Sequence, residues 1–288
     1  MVAETKILII GASGLLGSKL YEKLSENYKV AGTYSANKQE GLYFYDITNK
    51  DLTIFQETKP DVVIHTAGMT KLDPCETNQE LAYKVNVEGT ENIIQGCKLN
   101  NSKLVYISTD FVFDGEKGNY KEEDAVNPLS CYGKTKLKSE ELVKNSGLDY
   151  IIARVAVLYG SKQNNKLVSW CIEQLRKKEY TNLIADHMRT PTLVDDIAEA
   201  LHILILNKRR GTYHVAGPET LSAFSMGVRI AEEFNFEKKY LKPINSYKFK
   251  QTAQRPKDSS LNTEKLQAEG IKMSSFVEGL RKIRNQIR

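Results

Sequence analysis

Tyr132 and Lys136 stand four residues apart in the stretch YGKTK, a spacing that sets two side chains on one helix face about one turn apart. A lysine ammonium beside a phenol favours the phenolate and lowers the tyrosine pKa from about 10 towards neutrality. A tyrosine tuned in this way can hand a proton to a developing alkoxide at physiological pH. Any amphipathic helix shows the same spacing, so the pair gains meaning only from a partner elsewhere in the chain. Gly11, Gly14 and Gly17 offer one, as G-x-x-G-x-x-G directly after the apolar run KILII and at the opening of a helical stretch. That context lifts a glycine pattern above coincidence. The first glycine permits a tight turn, the second lets backbone approach a pyrophosphate, and the third allows close helix–strand packing. Free N–H groups and the positive end of the helix dipole then face the anion. With Ser13, Leu15 and Leu16, these glycines are the expected phosphate contacts of a dinucleotide. A purely structural turn is the alternative.

The end of the second strand separates the two nicotinamide dinucleotides, because an acid there would bind the ribose 2′-hydroxyl and repel a 2′-phosphate. The stretch GTYSANKQ has no acid before Glu40, whereas Ser35 and Lys38 could meet a phosphate. NADPH is therefore expected, with NADH as the alternative. Asp46 and Ile47, at the end of a short strand, are placed to flank an adenine. Thr66, Ala67, Gly68 and Met69 follow the third core strand, at the carboxyl edge where such a cofactor crosses a sheet.

These residues need a frame. Lys6–Ile10, Val30–Tyr34, DVVIHTAG, KLVYIST and DYIIARVAVLYG read as five core strands, with a short strand at Leu42–Tyr45. Their near-continuous apolar runs are those of strands buried on both faces. Helical patterns lie at Ser18–Asn27, Lys50–Thr58, Glu80–Asn100 and Tyr132–Lys144. The alternation predicts a doubly wound parallel sheet. After Gly160 it weakens: Lys166–Lys178 and Val194–Leu206 read as helices, NLIAD and TYHVAG as strands, and the rest as two or three short helices. The expected fold is α/β, a Rossmann-type doubly wound parallel sheet with a smaller, discontinuous α/β substrate lobe. Residues 1–160, with returning pieces near 190–215, form the dinucleotide-binding part, and residues 161–288 mainly the substrate part.

Composition fits a soluble globular chain, with 41% hydrophobic and 27% charged residues among 288. The net charge of +5 is mild, and the basic stretches NKRR and RKIRNQIR are short. Solvated faces and a helix C-terminus account for them, and nucleic acid is not expected as a partner. Cys75, Cys97, Cys131 and Cys171 form no CxxC, so neither a metal nor a disulfide framework is expected and a reducing cytoplasm fits. No apolar run is long enough to span a bilayer.

With GASGLLG, STDFVFDG and YGKTK read, the chain resembles the extended short-chain dehydrogenase/reductases, and within them the dTDP-4-dehydrorhamnose reductase family. HTAGMTKLDPCE, YKEEDAVNPLSCYGKTK, ADHMRTPTLVDDIA, GTYHVAG and QRPKDSSLNTEKL extend the resemblance nearly end to end. It implies a catalytic set of Thr109, Tyr132 and Lys136. Thr109 would hydrogen-bond the substrate carbonyl, Tyr132 would protonate its oxygen as hydride arrives, and Lys136 would hold the cofactor ribose and tune Tyr132. The implied substrate is a dTDP-linked 4-keto-6-deoxy sugar reduced at C4, with Asp110, Phe111, Val157 and Arg255 on its side of the site. Two departures touch that side. Val157 stands where the family often has tryptophan, and Arg189 replaces the glycine of its G-x-P-T stretch.

A second resemblance, in R-x-x-V-L-Y-G and YKEED…YGKTKL, is to the regulatory beta subunit of methionine adenosyltransferase, a member of the same family. It implies an NADP-binding, non-catalytic subunit whose partner is the adenosyltransferase catalytic subunit. A homodimer is open under the reductase reading. A 4,6-dehydratase would want an acid pair after Thr109, but Asp110 is followed by Phe111. His65, His187, His202 and His214 are expected to be structural, Asn86 to make a structural hydrogen bond, and Trp170 to pack. Asp73 and Glu76 are expected as exposed carboxylates, with a metal at a subunit contact as the alternative.

Overall fold

The apolar runs become the centre of one parallel sheet. The computed structural model describes residues 5–161 and 167–287. In chain order the first elements are β1 (Lys6–Ile10), α1 (Leu15–Leu24), β2 (Lys29–Tyr34), β3 (Tyr43–Phe44), α2 (Thr53–Thr58) and β4 (Val62–His65). Then come α3 (Leu72–Thr77), α4 (Gln79–Tyr83), α5 (Gly89–Asn100), β5 (Lys103–Thr109), α6 (Cys131–Lys144), β6 (Tyr150–Val155) and β7 (Leu158–Tyr159). The remainder holds α7 (Val168–Arg176), β8 (Thr181–Ile184), β9 (Met188–Arg189), β10 (Thr192–Leu193), α8 (Val194–Leu206) and β11 (Gly211–His214). Last are β12 (Leu221–Ser222), α9 (Ala223–Glu233), β13 (Leu241–Ile244), α10 (Glu264–Ala268) and α11 (Phe276–Ile287).

Seven strands run parallel in the order β11-β6-β5-β4-β1-β2-β3. The expected core strands occupy the middle, and the TYHVAG segment returns to extend one edge beside β6. Strands β4 and β5 are buried along their whole length, as strands covered on both faces must be. Helix α1 starts at Leu15, earlier than the periodicity suggests, because the glycine turn feeds straight into it with Gly14 at its cap.

Two expected elements are interrupted. The helix over residues 80–100 contains a π-helical turn, Lys84–Glu88, between α4 and α5; such turns frequently sit at functional sites. The run RVAVLYG does not stay one strand. Val157 has φ +40, an outlier for a β-branched residue, and the chain there leaves the sheet so that β7 pairs with β10.

A second apolar cluster forms outside the sheet from Tyr159, Val168, Cys171, Leu175, Leu183, Met226, Ile230, Phe276 and Leu280, among others. Helix α7 turns Val168, Cys171, Ile172 and Leu175 into it. Trp170, expected to pack, lies on the opposite side of that helix and is 41% exposed. The first residue of the expected Lys166–Lys178 helix lies outside the described residues. Most of the short basic stretches are paired: Arg209 with Glu269, Arg210 with Asp149, Arg281 and Arg284 with Glu233, and Lys282 with Asp196. No helix among the described residues is long and apolar enough to cross a membrane.

Candidate active site

At the carboxyl edge of the sheet a cleft of about 780 Å³ runs from the glycine turn to the second apolar cluster. A smaller hollow of about 210 Å³ adjoins it over β2 and β4. Ser13, Gly14, Leu15, Leu16, Gly17 and Thr66 line the cleft. Asp46, Ile47 and Met69 line the hollow. Gly11, Ser35, Ala67 and Gly68 line both. Lys38 does not: it is exposed, and Asn37 is the neighbour that lines the cleft beside Ser35. Lys38 is thus a surface side chain beside the cleft mouth, next to Asn37.

The glycine turn is built as the spacing requires. Gly11 has φ +91 and its amide donates to Thr33 Oγ1 at 3.1 Å, so this particular N–H is spent on the fold. The first-turn amides of α1 have no intrahelical acceptor. A Cβ on Gly17 would lie 2.2 Å from the Gly11 carbonyl oxygen and 2.9 Å from Ala12 Cα. Both are backbone atoms that cannot swing aside. Gly17→Ala is therefore expected to displace α1 from the turn and to weaken NADPH binding by about tenfold or more, a loss of roughly 1.4 kcal/mol. Fluorescence titration with NADPH checks this, and unchanged affinity would refute the role of the turn.

Thr109 ends β5, where its hydroxyl donates to Asp110 Oδ1 at 3.2 Å and accepts from the Phe111 amide at 3.2 Å. Ser130 caps α6 by accepting from the Gly133 amide, which sets Tyr132 in the first turn. Tyr132, Lys136 and Glu140 then follow one buried face of the helix. Thr109, Tyr132 and Lys136 all line the cleft.

The electrostatics differ from the expectation. Burial pushes the Tyr132 phenol well above the usual tyrosine range, and a hydrogen bond with Thr109 opposes it. Lys136 does not lower it. Its ammonium donates to the Ile107 carbonyl at 2.7 Å and sits 4.0 Å from the centre of the Tyr106 ring. Burial pushes Lys136 itself down to about 7, against the raising effect of Glu140. The tuning inferred from spacing alone fails because the lysine's nearest partners are a strand carbonyl and an aromatic face.

Asp110, Phe111, Val157 and Arg255 line the other end of the cleft. Arg255 reaches back to Asp73, with Nη2 3.2 Å from both carboxylate oxygens. Asp73 also accepts from the Ala253 amide, and Glu76 accepts from the Cys131 amide at 2.9 Å. Asp73 thus braces the 253–255 loop and Glu76 the first turn of α6. No cluster of three or more metal-ligating side chains occurs among the described residues.

The structure gives partners to other residues around the site. Arg189 lies in the cleft wall, buried, 5.2 Å from the Phe111 ring and 3.7 Å from Asp110. His187 also lines the cleft, its pKa lowered by burial and by Arg189. His65, His202 and His214 pack within the fold, against Thr90, Tyr28 and the Asn262 carbonyl. Asn86, in the π-helical turn, accepts from the Met69 amide and donates to Met69 O and Thr135 Oγ1. Behind the site, Arg154 and Glu140 form a buried two-point pair at 2.9 and 2.8 Å. The legible signal for that pair was an arginine inside an otherwise apolar strand.

The RmlD substrate binding domain model matches residues 5–288. The dTDP-4-dehydrorhamnose reductase of Aggregatibacter actinomycetemcomitans is 33% identical over 97% of this chain and 98% of its own length. Methionine adenosyltransferase 2 subunit beta of Bos taurus is 32% identical over 94% of this chain and 84% of its own. The crystal structure of dTDP-4-dehydrorhamnose reductase from Bacillus anthracis in complex with NADP superposes with a TM-score of 0.90, at 32% identity, covering 98% of this chain and 99% of that one. The match over nearly the whole chain, on a parallel sheet whose carboxyl edge carries the glycine turn and the Thr109–Tyr132–Lys136 wall, makes this chain a member of the RmlD substrate binding domain family.

Proposed function

We propose that the chain is an NADPH-dependent oxidoreductase that reduces the 4-keto group of a nucleotide-activated 6-deoxy sugar, with dTDP-4-dehydrorhamnose as the candidate substrate. The observation that carries this reading is one continuous cleft with the glycine turn at one end and Thr109, Tyr132 and Lys136 along its wall. The donor set fits a dinucleotide, because Gly11 and Gly17 have no room for a Cβ, and the adjoining hollow ends at Asp46 and Ile47. The nicotinamide cofactor supplies the hydride. The protein's part is to hold a proton at Tyr132 Oη, keep water from the buried wall and aim the carbonyl at that hydroxyl. A buried phenol with a raised pKa stays protonated at neutral pH, which is the state a proton donor needs. Residues 1–160 with the returning pieces near 190–215 would carry the cofactor, and residues 161–288 mainly the sugar, in the cytoplasm.

The test is NADPH oxidation with dTDP-4-dehydrorhamnose. Turnover is expected. None with any 4-keto nucleotide sugar would refute the reductase reading. The similarity to the methionine adenosyltransferase beta subunit favours a second reading, an NADP-binding regulatory subunit. Tight NADP binding without turnover, with saturable binding to a methionine adenosyltransferase catalytic subunit, would establish it.

NADPH is expected to bind more tightly than NADH, because Ser35 rather than an acid follows β2 and lines the cleft. Ser35→Asp should invert the preference by about tenfold in the ratio of affinities, since a carboxylate there repels the 2′-phosphate and accepts from a 2′-hydroxyl. Dissociation constants for both cofactors decide it, and a wild type that prefers NADH would refute the assignment.

A further inference from the structure

Lys136 carries a buried ammonium with no ion pair of its own among the described residues. Glu140, one turn along α6, is already committed. Arg154 grips both its oxygens at 2.9 and 2.8 Å, Ser108 donates to one at 2.6 Å, and Lys144 lies 3.5 Å from the other. Lys136 has instead the Ile107 carbonyl, which accepts from Nζ at 2.7 Å, and the face of the Tyr106 ring, whose centre lies 4.0 Å from Nζ. Tyr106 is fully buried, and burial holds its phenol well above the usual range, so the side chain stays neutral. His65, on β4, lies against the same ring with 5.6 Å between centres. Burial, with the Lys136 charge, pushes His65 down to about 3, so it brings no second cation. An ammonium has three N–H donors, and Ile107 takes one. A ring face attracts a cation through its quadrupole, with no lone pair to fix a hydrogen in direction, and does so most strongly where water is excluded. The ring thus favours the charged form and leaves a donor free for the cleft that Lys136 lines. A carboxylate in the same place would hold the charge but draw the hydrogens to itself.

We propose that Tyr106 is a positioning residue: its ring face, three residues before Thr109 on β5, seats the Lys136 ammonium, keeps it charged and leaves it a donor for the cofactor ribose. The proposal rests on the reading that sets Lys136 against the cofactor, and it adds the group that holds the lysine there.

The experiment is the pH dependence of NADPH affinity across neutral pH, read by fluorescence titration. A charged Lys136 donates to the cofactor more strongly than a neutral one, so affinity should fall as pH rises through the lysine's pKa. The cofactor's phosphate also titrates, so Lys136→Met supplies the baseline and the difference from it belongs to the lysine. The titratable groups around Lys136 are Tyr132 and Glu140 on its own helix, Tyr106 on β5 and His65 on β4. Both tyrosines and His65 stay neutral across this range, and Glu140 stays charged. Tyr106→Leu should bring the fall about one unit lower in pH, the shift expected when a desolvated cation–π contact is lost. Tyr106→Phe keeps the ring and should restore the midpoint to within about 0.3 unit. Trifluorophenylalanine in place of Tyr106 keeps the ring's shape but drains its face of negative potential, and should move the midpoint as Tyr106→Leu does without opening a cavity. The proposal is overturned by a wild type whose profile matches Lys136→Met, or by a Tyr106→Phe protein shifted as far as Tyr106→Leu. A trifluorophenylalanine protein that behaves as Tyr106→Phe does would overturn it equally. None of these arms needs turnover. A wild type that shows this profile yet reduces no sugar would refute the reductase reading and leave the seat of Lys136 standing.

Discussion

Replacing Tyr132 by phenylalanine is expected to lower kcat by about 10²- to 10⁴-fold, the range that positioned general acids contribute. The substitution removes one oxygen from a side chain that is 9% exposed and leaves its ring packed near Phe111. The fold and the glycine turn should therefore be unaffected, with NADPH affinity within about twofold and the loss confined to the step that needs a proton. The protein's own groups raise the phenol pKa rather than lower it. Tyr132 is thus held protonated at neutral pH, the state from which it can donate to a carbonyl oxygen. Steady-state assays with dTDP-4-dehydrorhamnose check the prediction. A Tyr132→Phe enzyme that keeps wild-type kcat would remove Tyr132 from the chemistry.

The sheet was legible because its strands are nearly continuous apolar runs, and a strand buried on both faces can be little else. The glycine turn was legible because its spacing answers to backbone geometry, which tolerates no substitute at Gly17. Pairings that depend on where a long side chain ends up were not. Lys136 shares a helix face with Tyr132, yet its ammonium lies four bonds beyond the Cβ and finds the Ile107 carbonyl first. Lys38 and Asn37 could not be ranked, because a polar loop carries no periodicity to say which side chain faces the cleft. Val157 was flagged as a change of residue type, and the positive φ behind it leaves no mark in hydrophobic patterning. Arg189 stood out only as a missing glycine. Its partners, Asp110, Pro256 and Lys257, come from chain segments far apart in sequence.

Arg154→Ala is expected to destabilise the protein by about 3–5 kcal/mol, the cost of leaving a buried charge without its partner. Arg154 and Glu140 are 2% and 0% exposed. The arginine grips the carboxylate through Nε and Nη2, Ser108 donates to it at 2.6 Å, and Lys144 is 3.5 Å away. Burial alone would raise the Glu140 carboxyl; the hydrogen bonds and charge of Arg154, with Ser108 and Lys144, hold it below its ordinary value instead. A depressed folded pKa means that the stabilisation is fully present above the unfolded value of about 4.5 and is lost as pH falls through the folded one. Wild-type stability should therefore fall with acid below about pH 4.5, where the unfolded chain takes up the proton first. Glu140→Gln with Arg154→Met removes both charges together and should recover much of the loss, since well-packed neutral pairs often match buried ion pairs. Glu140 lies one turn beyond Lys136, and Ser108 precedes Thr109, so the pair joins the two elements that carry the site. Arg154→Ala should then lower kcat at temperatures where the protein is still folded, and a variant unfolding within about 1 kcal/mol of wild type would show that the pair holds neither fold nor site.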